Sequence, residues 1–454
     1  MVASQPRSES AVFHRRPGDA YPVFVRGEGC QLWDATGKRY VDLTSGMAWA
    51  ASLGQGRQEI ADVMATQAAS LTYIQNAWAS TDRQEEYATR LTALAPAGIT
   101  RAMFTSGGSE SNELAIRIVR QYQLAVGQPD RWKIVSLQHS YHGATVGALS
   151  LTGAISVNEM MATDYDPYLI KFPRVAAPIT YRGPFSGLSD EDAAQAAADA
   201  VEQGILAADP STVAAFIAEP IMGNGAMTVL SARYLVLVRE ICDRYGLLLI
   251  HDEVMTGAGR TGTFLRSEAL GVTPDLITMA KAISGGYAPL GAVLLHQRVA
   301  DAIARAGRRM DHVHTHSGHP VSCAVGLAVL DILEREGLVA QAAARGEFFR
   351  AEMQRQLGDN PHIGDVRGVG LASAVEYVAD RATRQAYPIG SRVGASIWEG
   401  MLERGYLLPS GRHRDSESIG DYSLFAPAFI ISEAEIREGV VALKDTIEAV
   451  SSRW

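Results

Sequence analysis

Short apolar runs alternate with amphipathic stretches through the middle of this chain, and that alternation restricts the fold more than any other feature. RAMFTS, WKIVSLQ, VAAFIAEP, GLLLIHDE, LITMAKAI and APLGAVLL each have the length and apolar content of a strand. Helical patterns lie between them, among them the alanine-rich stretch 188–208, which reads as a surface helix. Strands that are apolar on both faces and separated by helices point to a mainly parallel sheet covered on both sides. The expected fold class is α/β. Residues 21–45 read as strands and turns of a small antiparallel sheet, and 57–95 is helical in pattern. Residues 322–358 read as two helices leading out of the large domain; shorter strands and a last helix, EAEIREGVVALKDTIEAV, follow. The expected layout is a large domain over 60–325 and a smaller α+β domain assembled from 1–59 and 326–454.

Composition narrows the partners. The chain has 454 residues, 47% hydrophobic and 20% charged, enough for one large domain and a smaller one. A formal net charge of −9 argues against nucleic acid or an anionic membrane as partner. No run of apolar residues is long enough for a transmembrane helix, and MVASQPRSESAVFHRRPGD lacks the apolar core of a signal peptide. Cys30, Cys242 and Cys323 are far apart and odd in number. They suit a reducing cytoplasm, the expected location, and suggest neither a disulfide framework nor a zinc site.

Two polar residues end apolar runs: LLLIHD closes on Asp252, and LITMAK closes on Lys281 ahead of a glycine-rich turn. Open parallel sheets bind ligands at this carboxyl edge. A buried aspartate needs a partner, and a buried lysine loses proton affinity and becomes a nucleophile and proton shuttle. Such a pair suits pyridoxal phosphate, the amine meeting its aldehyde and the carboxylate its pyridine nitrogen. The plainer alternatives are an aspartate capping the next turn and a solvent-facing lysine. In FTSGGSESNELAIRIVRQY, Gly107 and Gly108 let the backbone approach an anion, Ser109 adds a hydroxyl, and a helix N-terminus follows. The same residues read equally as a glycine turn with Ser109 as helix cap.

Tyr141 in HSYHGATVG could lie against a flat cofactor with His142 shaping the turn, or simply pack on the core. Val254 would sit on the opposite ring face. Glu219, near the end of VAAFIAEP, could polarise groups near the cofactor or orient a neighbour, or else be a helix-capping or surface carboxylate before Pro220. His312, His314, His316 and His319 alternate in a way that suggests a metal, but no cysteine or carboxylate completes a ligand set, and no metal is expected. Thr315 and Ser317, ahead of a helical run, suit another phosphate contact better.

In order, LWDATGKRYVDLTSG, SGGSESNE, YHG, AEP, DEVMTGAGRTG, AKAISGGYAPLGAV and THSGHP resemble the class III pyridoxal phosphate aminotransferases, the ω-aminotransferase group, over most of the chain. The resemblance implies the type I fold of pyridoxal-phosphate-dependent transferases, pyridoxal 5′-phosphate as cofactor, and a homodimer with shared active sites, tetramers being left open. Position by position, Lys281 matches the Schiff-base lysine and Asp252 the partner of the pyridine nitrogen. Gly108 and Ser109 match the phosphate loop, Tyr141 the stacking aromatic, and Glu219 the acid near the cofactor. Thr315 matches the residue that reaches the phosphate of the neighbouring subunit.

The chain departs from that pattern in informative places. Many relatives using 2-oxoglutarate carry a second glutamate in a run such as EPIQGE; here the run is EPIMGNGAM, with Asn224 at that place. EPxMG resembles pyruvate users, so pyruvate is the expected acceptor. SLGQGRQEI stands where LGHxHP is frequent, and His316 where an aromatic is frequent. Arg412 and Arg414 are the candidates for a carboxylate-binding arginine, or else solvated loop residues. Met47, Trp49, Asn76 and Trp78 are candidates for the amine-donor pocket, or else packing residues. The expected reaction is transamination from a primary amine or ω-amino acid to an oxo acid. The alternatives are a racemase, aminomutase or decarboxylating enzyme of the same fold. A cofactor-binding regulator is a third reading, disfavoured by the acidic balance and the intact lysine–aspartate pair.

Overall fold

Each apolar run of the central region becomes a strand of one seven-stranded sheet. A computed structural model describes residues 10–15, 21–153, 164–310, 314–411 and 418–454. The strand order is Ile99–Thr105, Gly291–His296, Leu276–Met279, Leu248–Asp252, Val213–Ala218, Lys133–Leu137 and Arg174–Val175. All run parallel except Gly291–His296, which is antiparallel to both neighbours. Val213–Ala218 and Leu248–Asp252 are buried at every residue. Successive side chains alternate between the two faces of a strand. Phe216 and Leu249 accordingly join one apolar core, and Ile217 and Ile250 the other. Burying each such side chain is worth roughly 1.5–3 kcal/mol, so both helical layers are held firmly to the sheet.

The helices start and stop where their end residues dictate. Ser189 caps Asp190–Ala207 by accepting the N–H of Asp192. That helix is less exposed than its alanine content suggested: Ala193, Ala194, Ala197, Ala198, Val201 and Ile205 are buried. Ser231 caps Ala232–Tyr245 in the same way, and Gly246, at φ 66°, ends it in the left-handed conformation that glycine adopts without strain. The two helices read from 322–358 are Pro320–Arg335 and Leu338–Leu357.

Strands from the two ends of the chain share a sheet. Phe24–Glu28, Gln31–Asp34 and Arg39–Asp42 form an antiparallel meander, and Tyr406–Leu407 pairs parallel to Arg39–Asp42. A second sheet has the order Ile363–Val369, Ala372–Tyr377, Tyr422–Phe425, Ser410–Gly411. The last helix, Glu433–Val450, opens with a capping box of Ser432 and Glu435. Its Val440 and Leu443 share one apolar core with Leu43 and Leu53. Among the described residues no helix is long and apolar enough to cross a membrane, and the three cysteines are buried and free.

Candidate active site

The parallel strands deliver their polar end residues to one edge. Asp252 is the last residue of its strand, Glu219 follows Val213–Ala218, and Lys281 lies two residues beyond Met279. Tyr141 and His142 come from the loop after Lys133–Leu137, and the helix Gly108–Ala125 starts just after Ile99–Thr105. Together they enclose a cavity of about 150 Å³ whose lining includes Trp49, Gly108, Ser109, Asn112, Tyr141, His142, Glu219, Asn224, Asp252, Val254, Met255 and Lys281.

Asp252 is held by two side chains. Asn112 Nδ2 and His142 Nδ1 each lie 2.8 Å from its Oδ2, and the N–H of Val254 donates to Oδ1 at 3.1 Å. Asn112 Nδ2 also donates to the carbonyl of His142 at 2.6 Å. The carboxylate is thereby fixed in rotation and presented to the cavity, as a group that must meet one ligand atom needs to be. Asn112 escaped the sequence reading. The signal was its place four residues after Gly108, on the same helix face.

Glu219 is buried, and Tyr141 N and Gly223 N donate to its two oxygens at 2.8 and 3.2 Å. Burial pushes its carboxyl up to about 7; the Asp252 charge adds to this, while His142 and the two backbone donors oppose it. Lys281 is half-buried on the cavity wall. Its backbone is left-handed, φ 52°, between extended Ala280 and a tight turn that ends at Gly285. Desolvation lowers its amine from 10.5 to about 8, with Asp252 and Glu219 pulling the other way and Arg260 reinforcing the drop. The amine lies 4.6 Å from the centre of the Trp49 ring.

At the helix start, a Cβ on Gly108 would come within 2.7 Å of Val254 Cγ1, so only glycine lets the backbone close here. The residue capping the helix is Gly107, not Ser109, and it lies in extended backbone outside the cavity wall. Ser109 Oγ instead accepts the N–H of Ala144 at 3.1 Å, which leaves its hydroxyl hydrogen for an anion.

Trp49 belongs to a strained loop. Ser45, Gly46, Met47 and Trp49 all have positive φ, between 50° and 79°. Each non-glycine residue in that region costs about 1–3 kcal/mol, which the surroundings must supply. Asp42 contributes by accepting the N–H of Thr44 at 2.9 Å and that of Gly46.

Other candidates lie elsewhere. Met47 is exposed, and Asn76 and Trp78 line a separate cavity with Phe104, Met310 and Ser317. Trp49 is thus the one member of the expected donor pocket that reaches this wall. Thr315 does not line its own chain's cavity. His314 sits 3.9 Å from Glu110, and among the described residues no group of three metal-binding side chains converges. His312, Arg412 and Arg414 lie outside the described residues.

A fixed carboxylate, a second carboxyl able to hold a proton near neutrality, and an amine of lowered proton affinity beside an anion-binding helix start can perform proton transfer at a bound substrate carbon. Comparisons with known proteins agree with that chemistry. The family described as class-III aminotransferase matches residues 13–447. A crystal structure of a thermostable (S)-enantioselective omega-transaminase from Thermomicrobium roseum superposes with a TM-score of 0.88 at 37% identity, covering 95% of this chain and 93% of that one. The putrescine–pyruvate aminotransferase of Pseudomonas aeruginosa is 30% identical over 95% of this chain and 91% of its own length. The diaminobutyrate–2-oxoglutarate transaminase of Halomonas elongata is 31% identical over 94% and 90%.

Proposed function

The chain belongs to the class III aminotransferases, and from that premise we propose that it moves an amino group from a primary amine or ω-amino acid to pyruvate. Members of this family use pyridoxal phosphate, and the residues present fit it. A carboxylate fixed by Asn112 and His142 opens on the cavity, and the helix start at Gly108 approaches as only a residue without Cβ can. Asp252 would meet the pyridine nitrogen, Gly108 and Ser109 the phosphate, and Lys281 the aldehyde. Tyr141 and Val254 would give the ring its contacts. Bound there, the cofactor would supply an electron sink for charge left on the donor carbon.

The remaining work falls to the chain itself. Lys281 Nζ takes the proton from the carbon bearing the amino group and holds it for return. Its lowered proton affinity keeps a useful fraction of free amine near neutrality. Glu219, poised at about 7, holds Tyr141 and Gly223 in place and can keep a proton beside Lys281.

The acceptor reading rests on Asn224, which lines the cavity where many 2-oxoglutarate users carry a glutamate. Among the described lining residues Lys281 is the one lysine or arginine, and the His142 ring is already held on Asp252. A second substrate carboxylate would be desolvated there without a cation, at a cost a monocarboxylate avoids. The two relatives named for their acceptors divide between pyruvate and 2-oxoglutarate, so kinship alone does not choose. Amine donors paired with each oxo acid provide the test: turnover with pyruvate is expected, and turnover with 2-oxoglutarate alone overturns the reading.

We further propose a homodimer with shared active sites. Trp78 is 86% exposed, and Leu71, Tyr73 and Ile74 beside it are exposed as well, an apolar grouping that a partner would cover. Light scattering on the purified holoenzyme should return twice the chain mass of 48.7 kDa; a monomer overturns this.

A further inference from the structure

The tail of DEVMTGAGRTG lines no part of the cavity, yet it carries Arg260, the largest fully buried side chain among the described residues. A guanidinium without water demands partners. Arg260 forms no ion pair among the described residues; its Nη atoms donate to four neutral acceptors instead. Two belong to the C-terminal third, the carbonyls of Leu371 (3.3 Å) and Pro427. Two belong to the strained N-terminal loop, Ser45 Oγ (3.3 Å) and the Trp49 carbonyl (3.4 Å). Its carbon lies 4.8 Å over the Phe429 ring.

Asp42 and Arg260 therefore hold the same loop from opposite ends. The carboxylate takes N–H groups at the loop entrance, and the guanidinium takes the hydroxyl of Ser45 and the carbonyl at the exit. Both ends are needed, because left-handed backbone at Ser45, Met47 and Trp49 persists only where the surroundings over-determine it. The loop's product is the position of one ring. A Cβ on Gly223 would lie 2.8 Å from Trp49 Cζ3, so that edge of the ring packs against bare backbone, while the Lys281 amine lies over the ring.

We propose that Arg260 is a positioning residue, which seats the Trp49 ring on the Lys281 amine by anchoring the Ser45–Trp49 loop to the C-terminal third of the chain. The proposal rests on Lys281 being the reacting amine. The charged groups facing that amine are Asp252, Glu219 and Arg260 itself. With the ring seated, water is kept from the amine, and its proton affinity falls because the charged form is desolvated.

The test uses capture of pyridoxal 5′-phosphate by cofactor-stripped protein, followed against pH, and the fluorescence that Trp49→Phe removes. In the wild type the capture rate should rise with pH to a midpoint near 8. Arg260→Lys keeps the charge and loses the planar reach to both ends of the contact. Its midpoint should move upward, and a shift of one pH unit means about tenfold slower capture below the midpoint. The Trp49 emission should move to the red as water reaches the ring. A folded Arg260→Lys protein with unchanged midpoint and unchanged emission overturns the proposal. Should that variant fail to fold, Arg260→Gln decides, since a shorter neutral amide leaves Ser45 its own bond to the Ala426 carbonyl (2.7 Å) and gives up the reach to Ser45 and Trp49: the same two shifts support the proposal, and neither overturns it. Wild-type protein that captures no cofactor, or Lys281→Ala that captures it equally well, sinks the reading of Lys281 instead, a distinct result.

Discussion

Lys281→Ala is expected to slow the amine half-reaction by at least about 10⁴-fold, since one side chain serves as both nucleophile and proton carrier. No neighbour can take over. The charged groups around the amine are two carboxyls and the fully tethered Arg260, and none offers a neutral amine. Single-turnover measurements with an amine donor, at saturating cofactor, separate this loss from weak cofactor binding. Far-ultraviolet circular dichroism should be unchanged, because the half-buried side chain opens on a cavity and not on the core. Residual turnover within tenfold of the wild type would remove Lys281 from the mechanism.

Asp252→Ala should be nearly as damaging, by a different route. Truncation strands the buried His142 Nδ1 and leaves Asn112 Nδ2 with the His142 carbonyl as its remaining acceptor. A buried donor left without an acceptor costs about 1–3 kcal/mol, so in a chain of this size the unfolding midpoint should drop by about 1–3 °C. The half-reaction should fall by about 10³-fold, the scale on which removing one preorganised polar group acts in a water-poor site. Asp252→Asn separates the two effects, since it restores much of the stability without the carboxylate. Full activity in Asp252→Asn would deny the carboxylate any part in the chemistry.

The sheet was legible because Val213–Ala218 and Leu248–Asp252 are buried on both faces and so read as unbroken apolar text. Asp252 and Lys281 were legible for the same reason, as polar residues that interrupt such text at its end. Asn112 was not. A polar residue in a helix reads as solvent-facing, and its partner Asp252 lies 140 residues away. Arg260 was hidden likewise, because an arginine in a glycine-rich turn gives no sign that it will be enclosed. Trp49, Asn76 and Trp78 looked alike as candidates, and only folding separates the first from the other two. The reversed direction of Gly291–His296 could have been deduced. Parallel neighbours need a crossover of about a dozen residues or more, usually a helix, and the link over 280–290 holds only the short turn Lys281–Ser284, which is too little to make one.

That reversed strand also governs how the molecule is made. Ile99–Thr105 sits at the margin of the sheet and pairs with Gly291–His296 alone, Met103 opposite Val293. Arg39–Asp42 waits still longer for Tyr406–Leu407. A nascent chain emerging from the ribosome therefore carries open strand edges until most of it has been synthesised. Closure entropy must be met before these pairings return anything, so folding is slow and the growing chain is prone to associate. Expression at lower temperature, or alongside chaperones that shield such edges, should raise the soluble yield more than any substitution in the catalytic cavity.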